Sequence, residues 1–494
     1  MATLGENADG ILPGALINGR WRETSDSFEV KSPMSQEVIH RVGACGANEV
    51  ADAIAAATAA FPAWNATAVS VRANILRKMQ QLFIDNAAEI AQVIISEVGK
   101  PLQASLEEVY EYAAPAWGKA AEETLRHRGM LLPSTQETTT NKRLVLGHRA
   151  LGPIGIITPY NFPTDIPSIA MAHAVAAGNT VVWKPTEYAP KSCALVAALF
   201  AEAGLPDGVI NMVQGLGDVG AAIVDSDEIK GVFFTGSTST GEAIAKKNPL
   251  RPMLLELGGD GPQIVLEDAD IDRAVEGALT GCFYYSGQVC TSSERLLIHE
   301  AVYEEFMGKF REGIRQLVIG DPAQESTDVG PLCNERTLAR VKNHVEDARD
   351  KGATIEHFGE ETGLFYPPTL ITDVSADMTL LKEETFGPVA IVKKVGSADE
   401  AVAIANQSDL GLVASLWTEN LAVAWRVAEA LPHGSVNVNE TSNYWDQLAP
   451  FGGAGRSGVG RELSAWFMES FTEPKLISFD LGGERMGRQV AGEW

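Results

Sequence analysis

Between residues 48 and 64, Val50, Ile54, Ala57 and Phe61 recur at helical spacing, with Asn48 placed to cap the first turn. This predicts a helix, and more helical sequence follows to about Arg126. A strand-like stretch precedes it at residues 15–21. After Ala150 the pattern changes. Short apolar runs at 155–158, 180–183, 209–213 and 232–234 end in turn or polar residues, and helical stretches at 192–203 and 240–247 lie among them. Short apolar strands alternating with helices predict βαβ units on a parallel sheet. Ligands of such sheets bind beyond the carboxyl ends of the strands. A second alternating region, from near Gly261 to past Gly460, predicts a second α/β domain.

The chain of 494 residues is long enough for two or three domains. A net charge of −26 argues against a general nucleic-acid binder, which needs clustered Lys and Arg, and weakly against docking on anionic membranes. No apolar run reaches the length of a membrane span. The first residues lack the basic start and apolar core of a secretory signal, so a cytoplasmic protein is expected. Cys45, Cys193, Cys282, Cys290 and Cys333 form no CxxC pair, so neither a metal site nor a disulfide framework is expected. Such a set fits a reducing compartment, with one reactive cysteine at most and the rest as packing.

Four short stretches carry candidate chemistry. Asn161 lies between aromatics and prolines in Pro159–Pro163, where a stiffly held amide can donate a hydrogen bond or simply make a turn. The run from Phe234 to Gly241 leaves a strand and opens a helix, an anion site or a plain tight turn. Glu256 sits in an apolar strand before Gly258 and Gly259, where desolvation would raise its pKa toward that of a general base; a solvated strand end is the alternative. Cys290 follows Gly287-Gln288-Val289, near the end of an apolar helix that includes Cys282. Cys282 itself reads as core.

Taken together and in this order, these stretches resemble the aldehyde dehydrogenase superfamily over nearly the whole chain. Lys184-Pro185-Thr186-Glu187, Glu383–Pro388, Pro450–Gly453 and Ser457–Glu462 match as well. The resemblance implies a Rossmann-like cofactor domain, a second α/β catalytic domain and a strand arm for oligomerisation. The boundaries are 1–127 with 150–257, then 258–469, then 128–149 with 470–494, and a homodimer or homotetramer is implied. It also implies Cys290 as nucleophile, forming a thiohemiacetal and then a thioester. Asn161 and the Cys290 backbone N–H would hold the oxyanion, and Glu256 would be the general base. Lys184 and Glu187 would bind the adenosine ribose, Gly236 and Ser237 the pyrophosphate, and Glu384 with Phe386 the nicotinamide half. A carboxylate at Glu187 favours NAD, with NADP as the weaker alternative.

By the same resemblance the aldehyde tunnel is lined by Phe162, Asp165, Ile166, Ile169, Tyr284, Trp445 and Phe451. Relatives that take succinate semialdehyde carry arginines where this chain has Ile169 and Tyr284. The aromatics therefore predict an aromatic or apolar aldehyde. The alternatives are a semialdehyde or other small polar aldehyde, with Arg456 reaching the tunnel mouth, or a cationic aldehyde held by Asp165 and the rings. The chain departs from the family at Tyr160, at Ala170 where a lysine is usual, at Asp260, and at Gly455-Arg456. A CoA-acylating enzyme is disfavoured because Glu256 is present. A non-catalytic structural protein is disfavoured because Cys290, Asn161 and Glu256 are all retained.

Overall fold

The computed structural model describes residues 7–127, 129–135 and 141–482. The first six residues, read above for a signal, lie outside these, as do residues 128 and 136–140 of the expected arm and residues 483–494.

The helical start forms as its periodicity predicts. Helix Ala47–Asn65 buries Val50, Ala53, Ile54, Ala57 and Trp64. Its cap differs from the expected Asn48: the Glu49 carboxylate reaches back to accept the Gly46 N–H at 2.7 Å, so the chain enters the helix two residues earlier. The strand expected over 15–21 is a hairpin, Ala15–Ile17 and Arg20–Arg22, because Asn18 and Gly19 turn the chain at positive φ.

An eight-stranded sheet carries the predicted runs as Pro153–Ile157, Thr180–Lys184, Ile210–Val213, Gly231–Thr235 and Met253–Glu256, all mutually parallel. Strand 153–157 lies at the centre, with 180–184 and 210–213 on one side and 231–235 and 253–256 on the other. The order reverses between 153–157 and 231–235, which opens a crevice beyond their carboxyl ends. A second, seven-stranded sheet runs 354–357, 369–372, 389–395, 295–299, 262–265, 413–417 and 435–438, parallel apart from its first strand. Each sheet packs against its own helices.

Two late segments return to the first sheet. Strand Gly458–Val459 pairs antiparallel with Leu255 and Glu256, and helix Ser464–Ser470 packs against helices 114–126 and 165–176. Strand Thr472–Asp480 then pairs along its whole length with Lys142–Ala150, leaving Leu476, Ile477 and Phe479 exposed. Among the described residues, no helix is long and apolar enough to cross a membrane.

Candidate active site

Cys290 lies in a loop, not at the end of the helix that holds Cys282. That helix stops at Phe283, and Tyr285, Ser286 and Gly287 take φ values of 48°, 56° and 69°. Three successive left-handed residues reverse the chain, a turn that the Tyr-Ser pair does not advertise. Gly287 is needed here: a Cβ on it would stand 2.1 Å from the Gly387 carbonyl. Cys290 is half-buried, while the other four cysteines are buried and free. Burial pushes the Cys290 thiol up, and Glu384, Glu462 and Glu256 add to the effect, so at neutral pH it rests protonated.

Asn161 is fixed from two directions. Its Nδ2 donates to the Gln288 carbonyl at 3.1 Å, which ties it to the cysteine loop. The segment behind it is held by Glu108, whose Oε1 accepts from Thr164 N and Oγ1 at 2.8 Å each and from Asp165 N at 3.2 Å. Glu108 thereby caps helix Asp165–Ala176 from another element. It stands at the start of a π-helical turn, 108–113, and its other oxygen meets the fully buried Lys100 ammonium at 2.5 Å.

Glu256 ends its strand opposite Gly458 and is 3% exposed. Neither carboxylate oxygen has a hydrogen-bond partner. Burial holds Glu256 well above the usual carboxylate range, Glu462 pushes it further, and Arg461 opposes. Glu462 is itself raised to about 8 by burial. This is the desolvated carboxylate expected from the sequence rather than a solvated strand end. Glu462 was visible in a matched motif, but nothing local marked its pairing with Glu256.

The crevice at the switch point is a cleft of about 470 Å³ that ends at Cys290. Lys184, Glu187, Gly236, Ser237, Glu384 and Phe386, the residues expected to hold a dinucleotide, all line it. Lys184 Nζ pairs with Glu187 at 3.1 Å. Ser237 caps helix Thr238–Lys247, so a helix N-terminus faces the cleft. The Thr235 Oγ1 beside it is buried with no partner. Glu384 accepts the Gly259 N–H at 3.0 Å, and burial raises it to about 7. Phe386 stands at φ 57° because Glu294, unremarked in the sequence, accepts its N–H and that of Thr385. These donors, the orphaned hydroxyl and the helix terminus fit a dinucleotide.

Phe162, Trp445 and Phe451, expected from the resemblance to line the aldehyde tunnel, meet edge-on or tilted, with ring centroids 6.1 and 6.3 Å apart. Ile166 and Ile169 are buried on helix 165–176. The wall is not apolar, which corrects the reading from the aromatics alone. Tyr284 and Tyr112 both donate to Glu107 at 2.8 Å, and Tyr112 packs on Trp445 at 4.7 Å. Burial holds Asp165 well above its usual range, and Glu108 and Glu462 push it further. Arg456 does not reach this wall: it pairs with Glu242 on helix 238–247 at 2.9 Å. Asp260 is part of a buried pair with Arg295 at 3.1 Å, which explains that departure structurally. Glu107 and Tyr112 went unread because the helical segment around them shows only amphipathic spacing.

Comparisons with known proteins place these features in context. The aldehyde dehydrogenase family profile matches residues 21–477. The chain is 38% identical over 479 residues to a mitochondrial succinate-semialdehyde dehydrogenase of Oryza sativa subsp. japonica, covering 95% of this chain and 90% of that one. It is 37% identical over 475 residues to an NADP(+)-dependent succinate-semialdehyde dehydrogenase of Escherichia coli, with 94% and 98% covered. The NAD+ complex of an aldehyde dehydrogenase from Bacillus cereus superposes with a TM-score of 0.92 at 34% identity, covering 95% of this chain and 97% of that one. The chain belongs to the aldehyde dehydrogenase family and is an oxidoreductase that acts on aldehydes with a nicotinamide dinucleotide.

Proposed function

We propose that the chain oxidises a small polar aldehyde to its carboxylic acid, with NAD used ahead of NADP. The observation that carries this reading is the position of Cys290. It stands where the dinucleotide-shaped cleft meets a wall of tyrosine hydroxyls and carboxylates. The names of the semialdehyde dehydrogenases similar to this chain support a polar substrate over the aromatic or apolar one.

In this reading Glu256, kept basic by burial, takes the thiol proton of Cys290, and the sulfur adds to the aldehyde carbon. Asn161 Nδ2 and the Cys290 backbone N–H stabilise the oxyanion of the thiohemiacetal. A bound dinucleotide supplies the hydride acceptor. Once Glu256 has given that proton up to solvent, it removes a proton from water, which attacks the Cys290 thioester and releases the acid and the thiolate. Glu187 holds the Lys184 ammonium, so a 2′-phosphate would meet a carboxylate and a cation already paired. The exposed strand 472–480 supports a homo-oligomer, and five free cysteines support a reducing, cytoplasmic setting.

Initial rates of NADH and NADPH formation test the reading. The panel is succinate semialdehyde, 4-(trimethylammonio)butanal, benzaldehyde and hexanal, with Cys290→Ala as blank. A small polar aldehyde should lead with NAD, and Glu187→Ser should narrow the preference for NAD. Benzaldehyde or hexanal in the lead would overturn the substrate reading, and activity surviving in Cys290→Ala would overturn the mechanism.

A further inference from the structure

The loop that carries Cys290 is held by a side chain two residues before it. Gln288 is fully buried, and each of its polar groups is engaged. Its backbone N–H and its Nε2 both donate to the Tyr285 carbonyl, at 3.1 and 3.4 Å, which closes the left-handed reversal at 285–287. Its own carbonyl accepts Asn161 Nδ2 at 3.1 Å. Its Oε1 accepts the Cys333 N–H at 2.9 Å and the Tyr160 hydroxyl at 3.3 Å. The Ser286 hydroxyl donates to the Gly330 carbonyl at 2.8 Å. The cysteine loop is thus docked on the segment that leads into helix Glu335–Asp350.

Tyr160 ties this loop to the turn that bears Asn161. Its ring is clamped edge-on by Tyr188 and Phe386, with centroids 5.6 and 6.1 Å away. A ring so clamped has little freedom to swing its hydroxyl, which donates to Gln288 Oε1 and lies 3.0 Å from Thr337 Oγ1. Burial raises the phenol, so it stays a neutral donor. One N–H of Asn161 is spent on the Gln288 carbonyl, which leaves the second for an oxyanion and, the amide being planar, fixes its direction. Resting on the roles proposed above for Cys290 and Asn161, we infer that Tyr160 and the Gln288 side chain are positioning residues that together fix the separation of the Cys290 sulfur and the Asn161 amide. Adjacent residues 160 and 161 are each bonded to residue 288, and two parallel struts resist a rotation that a single hydrogen bond permits. With one strut lost, donor and nucleophile drift, and a displacement of about 1 Å at such a site costs about 10²-fold in rate.

The test is single-turnover NADH formation by the full chain with the four aldehydes of the panel above, alongside an NAD titration and thermal unfolding. Tyr160→Phe keeps the clamped ring and removes only the hydroxyl. It should lower the single-turnover rate by about tenfold, by the same factor for polar and apolar aldehydes, with the NAD Kd and Tm unchanged. Gln288→Met should lower it by about 10²-fold, and the double variant should be no slower than Gln288→Met, because the hydroxyl acts through that amide. If the buried Gln288→Met protein does not fold, Tyr160→Phe decides. A Tyr160→Phe rate within about twofold of the unmodified enzyme, a loss that differs between polar and apolar aldehydes, or a loss that tracks a weaker NAD Kd would overturn the inference and leave the Cys290 reading in place. So would a double variant slowed by the product of the two single effects. NADH formation surviving in Cys290→Ala, or absent from the unmodified enzyme with all four aldehydes, would instead overturn that reading.

Discussion

On the cofactor side of Cys290, contacts come from short runs in which several working residues stand together: 184–187, 234–240 and 383–388. Around the wall expected to meet the aldehyde they come one or two at a time from 107–112, 161–165, 284, 445–451 and 462. A dinucleotide is large and is held by strand ends and a helix terminus, features that a βαβ unit builds locally. A short aldehyde tail is read by a few side chains that only the packing of distant helices brings together.

The largest effect is expected at the Lys100–Glu108 pair, which braces the aldehyde side. Lys100→Met leaves the Glu108 carboxylate buried without its cation, at a cost of about 3–5 kcal/mol, and should lower the denaturant midpoint sharply. Adding Glu108→Gln should recover part of that loss. A double variant no better than the single one would mean that Glu108 matters as a cap on helix 165–176 rather than as the partner of Lys100.

At the boundary between the two sides, Asn161→Ala should cut kcat by about 10²–10³-fold with little change in NAD affinity. Stopped-flow rates and an NAD titration separate the two effects. An equal loss in NAD affinity would place Asn161 with the cofactor side instead.

The smallest effect concerns pH and the cofactor side. Glu294 is raised to about 8 by burial and the Glu384 charge, and Glu384 is raised to about 7 by burial. Both pKa values exceed the usual carboxyl value, so the folded state keeps protons that the unfolded chain releases. Their contribution is complete below that usual value and is lost as pH rises through about 8. The unfolding midpoint should fall between about pH 6 and about pH 8.5, by an amount on the order of 1 kcal/mol per group. Glu294→Gln should flatten this slope, and an unchanged slope would show that Glu294 is ionised throughout.

The sequence was legible where the physics is local. The apolar runs at 155–158, 180–183, 209–213 and 232–234 became the parallel strands 153–157, 180–184, 210–213 and 231–235, because a strand covered on both faces needs a continuous apolar stretch. The carboxylate of Glu256 and the glycine turn at 236 were readable for the same reason. The helical periodicity that suggested a helix running toward Cys290 was misleading, since Tyr285 and Ser286 adopt left-handed backbone under tertiary constraint. The expected aromatic wall was misread as apolar, because the Tyr284 hydroxyl finds its partner, Glu107, in a helical segment far away in the chain, where Tyr112 bonds to the same carboxylate.

By itself, then, the sequence determined the family, the two alternating α/β regions and several residues that line the cleft at the switch point, all of which depend on strand ends and glycine turns. Only the tertiary structure decided which distant side chains meet around Glu256 and Asp165. The return of residues 458–470 to the first sheet sets Glu462 beside Glu256 and Asp165. The π-helical turn at 108–113 aims Glu108 at the turn before helix 165–176. The field around these carboxylates is a sum over groups far apart in the chain, and such a sum exists only once packing has fixed the distances between them and the water that separates them.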